Sequence, residues 1–262
     1  MTATTVTPTN ALRGPTPLGG FNVTALRLEI TRVLRNRRTL FFIIVFPSLF
    51  FFMFRSSGGR NAGAQADIIA AYVMISMAVY GAMVGTTSGG ATVAIERSLG
   101  WSRQLRLTPL RPSAYVAMKV LTSMTLGLLA VCSTFAIGAI TGIHMAPETW
   151  LFTGVLAWAS SLVFAAFGLL VGFLFPAENV MQFVGPLMAV MAMFGGIFVP
   201  LNQLPRGMQT FARFTPMYGV GIVARAPLVG GASAWAVGSI VFWTILFGFG
   251  AMMMFKRDTA RV

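Results

Sequence analysis

Long apolar stretches without a single charged side chain alternate along the chain with short charged segments. A helix that crosses the hydrocarbon core of a bilayer needs about 20 apolar residues, and five of the six neutral stretches reach that length. The first stretch is short, but the arginines on either side of it can extend to the two interfaces. The pattern therefore predicts six transmembrane helices, at about 39–55, 68–95, 114–143, 149–176, 180–200 and 232–255.

The composition also favours a lipid environment. Hydrophobic residues make up 56% of the chain, charged residues only 10%, and the mean hydropathy is +0.78. An average globular chain is about 45–50% apolar and about 25% charged. We therefore expect an all-α polytopic membrane protein and exclude a cytosolic enzyme or a secreted disulfide scaffold. The net charge of +13 does not indicate a nucleic-acid partner, because basic residues also anchor membrane segments from the cytoplasm.

The basic residues predict an orientation. Six spans place both termini and the segment 96–119 on one side, together with fourteen of the nineteen Lys and Arg residues. Such an excess marks the cytoplasmic side, so we expect a multi-pass protein of the bacterial plasma membrane with cytoplasmic tails at 1–20 and 259–262. The Thr, Pro and Gly content of the first tail predicts disorder. The other five basic residues are Arg55, Arg60, Arg206, Arg213 and Arg225.

The segment before the first span, residues 21–38, has helical periodicity. Its apolar residues Leu26, Ile30, Val33 and Leu34 recur on one face, and several arginines lie off that face. This arrangement predicts an amphipathic helix in the cytoplasmic interface, with its arginines among the lipid phosphates. Alternatively, the helix continues directly into the first span.

The chain lacks the residues for chemistry of its own. It contains no G-x-x-x-x-G-K-[ST] phosphate loop, so we do not expect it to hydrolyse ATP. The lone Cys132 and the lone His144 predict neither a disulfide nor a metal cluster. Charges lie at the ends of the predicted spans, whereas ion-coupled carriers usually hold them within the bilayer. We therefore predict no catalytic residue, no metal and no cofactor bound by this chain.

Glycines recur at four-residue spacing in the second, third and fourth spans. Such glycines let helices approach closely inside a membrane, so packing within the chain is the general interpretation. Alternatively, the glycine face of the second span lines a transport path or contacts a partner helix. The pairs are Gly81–Gly85, Gly85–Gly89, Gly138–Gly142 and Gly168–Gly172.

The segment 96–112, between the second and third spans, is charged and contains an aromatic residue, which indicates a docking surface for another protein. It begins with Glu96-Arg97 and Gly100, and ends with Leu105 and Thr108-Pro109-Leu110. This pattern resembles the signature of permeases of the ABC-2 exporter family.

A second stretch carries the same resemblance. A glycine pair ends the fifth span, a P-L-x-x-L-P motif follows, and a P-x-Y turn precedes an arginine. These are Gly195-Gly196, Pro200-Leu201-Asn202-Gln203-Leu204-Pro205, Pro216-Met217-Tyr218 and Arg225. The resemblance covers about residues 20–258. Within the family the chain is similar to drug and antibiotic exporters of the daunorubicin-resistance type, and exporters of lipid-linked polysaccharides remain an alternative.

The resemblance implies a permease subunit that exports a hydrophobic or amphiphilic cargo. Two permeases, identical or homologous, would work with two separate ABC ATPase subunits, which bind ATP and Mg. Segment 96–112 would form a coupling helix in a cleft of the ATPase. The residues implied in this coupling are Glu96, Arg97, Leu99, Gly100, Trp101, Arg103, Leu105, Arg106, Thr108 and Pro109.

The resemblance also implies a path along the second and fifth spans and an external lid of re-entrant helices at 201–228. The prolines of the lid segment independently exclude one continuous helix there. Methionines along the path would suit cargo of several shapes, although ordinary packing is the alternative. The path residues are Gly81, Gly85, Thr86, Gly89, Met188, Met191, Phe194 and Phe198. The lid residues are Pro200, Leu204, Pro205, Pro216, Tyr218 and Arg225.

Two other classes of function remain open. An ATP-independent channel or carrier would transport without an ATPase partner. A membrane-integral enzyme or assembly scaffold would place polar catalytic groups at membrane depth.

Overall fold

The computed structural model describes residues 20–57, 63–100 and 110–260, and every regular element in these ranges is helical. One 3-10 helix covers Leu201–Gln203. The α-helices, in chain order, are α1 Val23–Leu34, α2 Arg37–Ser57, α3 Gly63–Ser98, α4 Pro112–Ile140, α5 Pro147–Ser160, α6 Leu162–Leu174, α7 Ala177–Phe194, α8 Arg206–Ala212, α9 Pro216–Val229 and α10 Ala234–Ala260.

The described helices confirm the prediction of an all-helical protein with membrane-spanning segments. Five segments are long and apolar enough to cross a membrane: α3, α4, α5 with α6, α7 and α10. A sixth span results only if α1 and α2, which meet at 65°, are counted as one broken span. The fourth predicted span is interrupted at Ser161, and the fifth ends at Phe194, earlier than predicted, because Gly196 turns the chain with a φ of 66°.

Helix α3 is the central element and packs against α2, α4, α5, α6, α7 and α9. Small residues allow these close approaches. A Cβ atom on Gly90 would lie 2.6 Å from the backbone nitrogen of Leu169, and one on Gly168 would collide with the backbone of Thr87. The predicted packing role of Gly168 is therefore confirmed.

The glycine pair of the third span has two different roles. Gly138 packs against the side chain of Met74, as predicted. A Cβ atom on Gly142 would meet nothing within 4 Å, and its φ is 77°, so the packing interpretation is wrong at this position. The Ile143 amide donates to the Gly138 carbonyl, which is the pattern of a glycine-terminated helix.

Helices α1 and α2 are separate α-helices that meet at 65°, so α1 does not run straight into the first span, although the two can together form one broken span. Asn22 begins α1 by accepting a hydrogen bond from the Thr24 amide at 2.8 Å. Val33 on its half-buried face packs against a cluster that contains Ile43 and Leu126. The position of α1 in a membrane interface stays a prediction.

The segment after α7 is broken at its prolines, as predicted. Pro205 precedes α8, and Pro216 occupies the first turn of α9, where its missing N–H costs nothing. The indoles of Trp235 and Trp243 donate to the carbonyls of Arg213 and Phe214 at 3.1 and 3.0 Å, which holds the turn between α8 and α9. Whether these helices enter the outer leaflet stays a prediction.

Candidate functional site: a charged junction and an outer cavity

Glu96, near the end of α3, is the buried centre of an ion cluster whose outer members are partly exposed. Its carboxylate accepts from the Lys119 ammonium at 2.5 Å, from the Tyr115 hydroxyl at 3.0 Å and from Arg32. Glu29 of α1 completes the cluster through ion pairs with Lys119 and Arg32. The cluster holds two carboxylates and two cations, so its charges balance. It ties α1 and the start of α4 to the end of α3.

The neighbouring residue, Arg97, points to a different pair of helices. It forms a two-point ion pair with Asp258 of α10, at 3.0 and 2.7 Å. It also donates to the carbonyls of Gly172 and Phe173 at 3.2 and 2.8 Å. These carbonyls lie in the last turn of α6. The carbonyl groups of a last turn have no hydrogen-bond partners within the helix, and they carry partial negative charge. Two consecutive residues of α3 thus connect it to α1, α4, α6 and α10.

The segment predicted as the coupling helix, 96–112, begins with these two ion-paired residues. Gly100 ends α3 with a φ of 76°, and Leu99 beside it is 77% exposed. Trp101, Arg103, Leu105, Arg106, Thr108 and Pro109 lie outside the described residues, and their docking role stays a prediction. We call the cluster around Glu96 and the Arg97–Asp258 pair together the charged junction.

Five residues of the charged junction were not predicted as site residues from the sequence: Glu29, Arg32, Tyr115, Lys119 and Asp258. A signal for the two acids does exist. The chain has only six acidic residues, and in a membrane protein so few acids near predicted span ends are candidates for pairing with buried cations. The sequence pattern could not identify which cation each one meets.

The structure brings the glycine face of the second span against α4. A Cβ atom on Gly85 would lie 3.2 Å from the Leu126 carbonyl oxygen, and one on Gly89 would lie 2.9 Å from the Ser123 hydroxyl. Gly81 meets Ala130 of α4 and Pro47 of α2, and the fully buried Thr86 bonds within its own helix. This face is therefore occupied by packing within the chain, which is the first of the two interpretations above.

The predicted path residues of the fifth span are not all in one place. Met188 is buried and lines a groove of about 470 Å³ between α2, α3 and α7, whose other walls include Phe46 and Tyr80. Phe194 instead packs on Phe211 of α8. Met191 is half-buried beside the main core.

At the other end of α3, Arg225 of α9 is buried with only 4% of its surface exposed. It donates to the carbonyls of Gly196 at 2.8 Å and Gly195 at 3.2 Å, and to the Ser76 hydroxyl at 3.0 Å. Its guanidinium lies over the Tyr72 ring, 4.6 Å from the centroid. These contacts hold the end of α7 to α3. The predicted lid residue is thus a buried anchor.

Arg225 also lines a cavity, which we call the outer cavity. It has a volume of about 720 Å³ and lies between the start of α3, the turn after α7 and the end of α9. Phe198, assigned to the path from the sequence, lies in its wall and packs on Tyr80. The lid residue Pro200 also lines it.

Of the remaining lid residues, Pro216 is buried, Leu204 and Tyr218 are half-buried, and Pro205 is exposed.

Spanning-length helices around a buried glycine-rich helix, with charges concentrated at one end, define a polytopic membrane protein. The comparison with known families then gives its class. The model of the ABC-2 type transporter family matches residues 22–229, and the chain belongs to that family.

A relative supports the same assignment. The chain is 29% identical over 209 residues to the "Putative transport permease YvfS" of Bacillus subtilis (strain 168), covering 79% of this chain and 85% of that protein. The resemblance to ABC-2 permeases is therefore confirmed, and the chain is a transport permease of the membrane. The narrower likeness to drug exporters of the daunorubicin-resistance type stays a prediction.

Proposed function

We propose that this chain is the membrane subunit of an exporter whose energy comes from separate ABC ATPase subunits. The observation that carries the proposal is the charged junction. Glu96 and Arg97 are the first two residues of the segment implied in docking, and their ion pairs reach α1, α4, α6 and α10. A displacement of this segment by the ATPase would therefore move several helices together.

Within this proposal the two halves of the segment 96–112 have different roles. Glu96 is buried and Arg97 is occupied by Asp258, so neither side chain is available as the main contact of a partner. The exposed Leu99, with Trp101 and Leu105, would supply the apolar contacts to the ATPase cleft. Buried aromatic anchors at interfaces commonly contribute about 2 kcal/mol or more.

The second permease would cover the groove between α2 and α7, where Phe42, Phe46 and Phe183 are exposed. The cargo would then be hydrophobic or amphiphilic and would pass between the two permeases. Cysteine cross-linking tests this contact. In a Cys132→Ser background, Met181→Cys should cross-link two copies, whereas Ile245→Cys on the exposed face of α10 should not.

The main experiment tests the ATPase. The chain is expressed with the ABC ATPase encoded nearest to it in its genome, purified and reconstituted into vesicles, and ATP-dependent transport of a hydrophobic dye is measured. Trp101→Ala should weaken ATPase binding by about thirtyfold and reduce transport in proportion. Trp150→Ala, which changes a half-buried tryptophan in the first turn of α5, is the matched control.

Equal ATPase recovery and equal transport with both variants would contradict the docking role of this segment. Dye transport by the purified chain without ATP would instead support the channel or carrier alternative. A lipid-linked glycan as cargo would be indicated if ATP-dependent transport required the glycan and not the dye.

A further inference from the structure

We propose that the outer cavity is a binding site for an amphiphile with one acidic group, a carboxylate or a phosphate, which is held by Arg225. The walls of this cavity are of two kinds. Ile68, Ile69, Val73, Met77 and Ile197 form an apolar surface, and Arg225 is the charged residue that lines it. A volume of about 720 Å³ lies within the range of about 300–1,000 Å³ that is typical of sites for small molecules.

The first argument is the missing counter-charge of Arg225. All six acidic side chains of the sequence belong to the described residues, and none of them forms an ion pair with this guanidinium. Its hydrogen-bond acceptors, two carbonyls and a hydroxyl, are all neutral. Buried charges in proteins are generally paired, because an isolated ion is costly to remove from water. An anionic ligand would supply the missing charge.

The second argument concerns the donors that Arg225 has left. A guanidinium has five N–H groups. Arg225 uses three of them on Ser76, Gly195 and Gly196, and no described residue accepts from the other two. A carboxylate or phosphate oxygen is a strong acceptor for such groups, and charge-assisted bonds of this kind are about twice as strong as neutral ones.

The third argument selects an amphiphile over a small anion such as free phosphate. Most of the cavity wall is apolar, and the exposed Ile68 and Ile69 lie at its edge. A small anion would bring water into this space without covering the apolar surface. An acidic head on Arg225 with an apolar body along α3 would satisfy both parts of the wall.

The experiment measures binding to the purified chain in nanodiscs of phosphatidylcholine, without ATPase or ATP. The probes are dansylated undecanoic acid and its primary amide, which differ only in charge. Wild type should bind the acid at least about tenfold more tightly than the amide. Arg225→Gln should abolish this preference, and Arg225→Lys should retain part of it because the charge is kept.

A second pair of variants tests the cavity without changing Arg225. Ile69→Trp should fill the cavity and weaken the binding of both probes. Ile95→Trp is the matched control, because Ile95 lies on the same helix, is also 43% exposed and does not line the cavity. Equal binding of acid and amide by wild type, or an acid preference that survives Arg225→Gln, would overturn the proposal. So would equal effects of the two tryptophan variants.

The same assay identifies the source of the acidic group. Displacement of the acid probe by phosphatidylglycerol added to the nanodiscs would assign the site to a lipid headgroup. Retention of the probe would assign it to an amphiphile from outside the bilayer, and in that case the inference extends the proposed function by naming the class of cargo. Because no ATPase is present, binding can succeed even if ATP-driven export fails, and the two proposals can fail separately.

Discussion

Arg97 and Arg225 perform the same local task at opposite ends of the central helix. Arg97 extends from α3 to the last carbonyls of α6, and Arg225 joins α3 to the carbonyls that follow α7. They differ in their counter-charge. Arg97 is 27% exposed and paired with Asp258, whereas Arg225 is almost completely buried and has no acid among the described residues. Arg225, whose charge is screened less by water than that of Arg97, is therefore the cation that lacks an anionic partner.

This difference separates a structural joint from a site that can accept a ligand. At the charged junction, each buried cation has a carboxylate from the chain itself, so the junction is complete without any other molecule. At the outer cavity, about 30 Å away along α3, the positive charge of Arg225 has no carboxylate from the described residues to balance it. Substitutions at the two ends should therefore differ in their effect on stability.

The largest effect is expected for Glu96→Gln at the charged junction. The variant leaves Lys119 and Arg32 to share Glu29, and removal of one partner of a buried ion pair costs about 3 kcal/mol. Thermal unfolding in detergent, followed by circular dichroism, measures the loss. Asp67→Asn is the control, because it removes an exposed acid from the other end of the same helix.

The double variant Glu96→Gln with Lys119→Gln sharpens this test. It restores charge balance, since Glu29 and Arg32 remain as a pair. We expect it to recover at least about half of the stability lost by the single variant. If the double variant were less stable by the sum of two single losses, the charges would not be coupled, and the interpretation of the cluster as an ion network would be wrong.

The next effect concerns the two partners of the Arg97–Asp258 pair. Arg97→Gln should reduce the free energy of unfolding by about 2 kcal/mol, because the ion pair and two bonds to α6 are lost together. Asp258→Asn should cost about 1 kcal/mol, because the guanidinium keeps its carbonyl acceptors and water can reach the half-buried pair. Denaturation in SDS compares the two variants. An equal or larger loss for Asp258→Asn would show that the carbonyl bonds contribute nothing.

The sequence predicted the helices well and the junction only in part, for a physical reason. Charges are costly inside the bilayer, so their gaps define spans directly, and prolines define the breaks between α7 and α10. The ion pairs depend on tertiary packing instead. Lys119 and Glu29 are 90 residues apart, and Arg97 and Asp258 are 161 apart. A local pattern can show that such residues lie near span ends, but it cannot show which of them meet.

The same limit applies to Arg225. The sequence placed it among the lid residues because of its position after the P-x-Y turn. Its burial depends on Gly221, one turn earlier in α9: a Cβ atom on Gly221 would lie 2.7 Å from the guanidinium and 2.8 Å from the Gly195 carbonyl oxygen. This space exists only when α9 is packed against the end of α7, and no single segment of the sequence encodes it.

The smallest effect is expected for Arg225→Gln when no ligand is present. The variant loses three hydrogen bonds and the contact with the Tyr72 ring, which destabilises the fold. It also removes a buried charge that has no anion, which relieves a desolvation cost of several kcal/mol. The two contributions oppose each other, so we expect a net change of about 1 kcal/mol or less in the same unfolding assay. Stabilisation by the dansylated acid should be lost in this variant and retained in Asp258→Asn. A loss of about 3 kcal/mol without ligand would make Arg225 a structural joint equivalent to Glu96, and the contrast between the two ends of α3 would disappear.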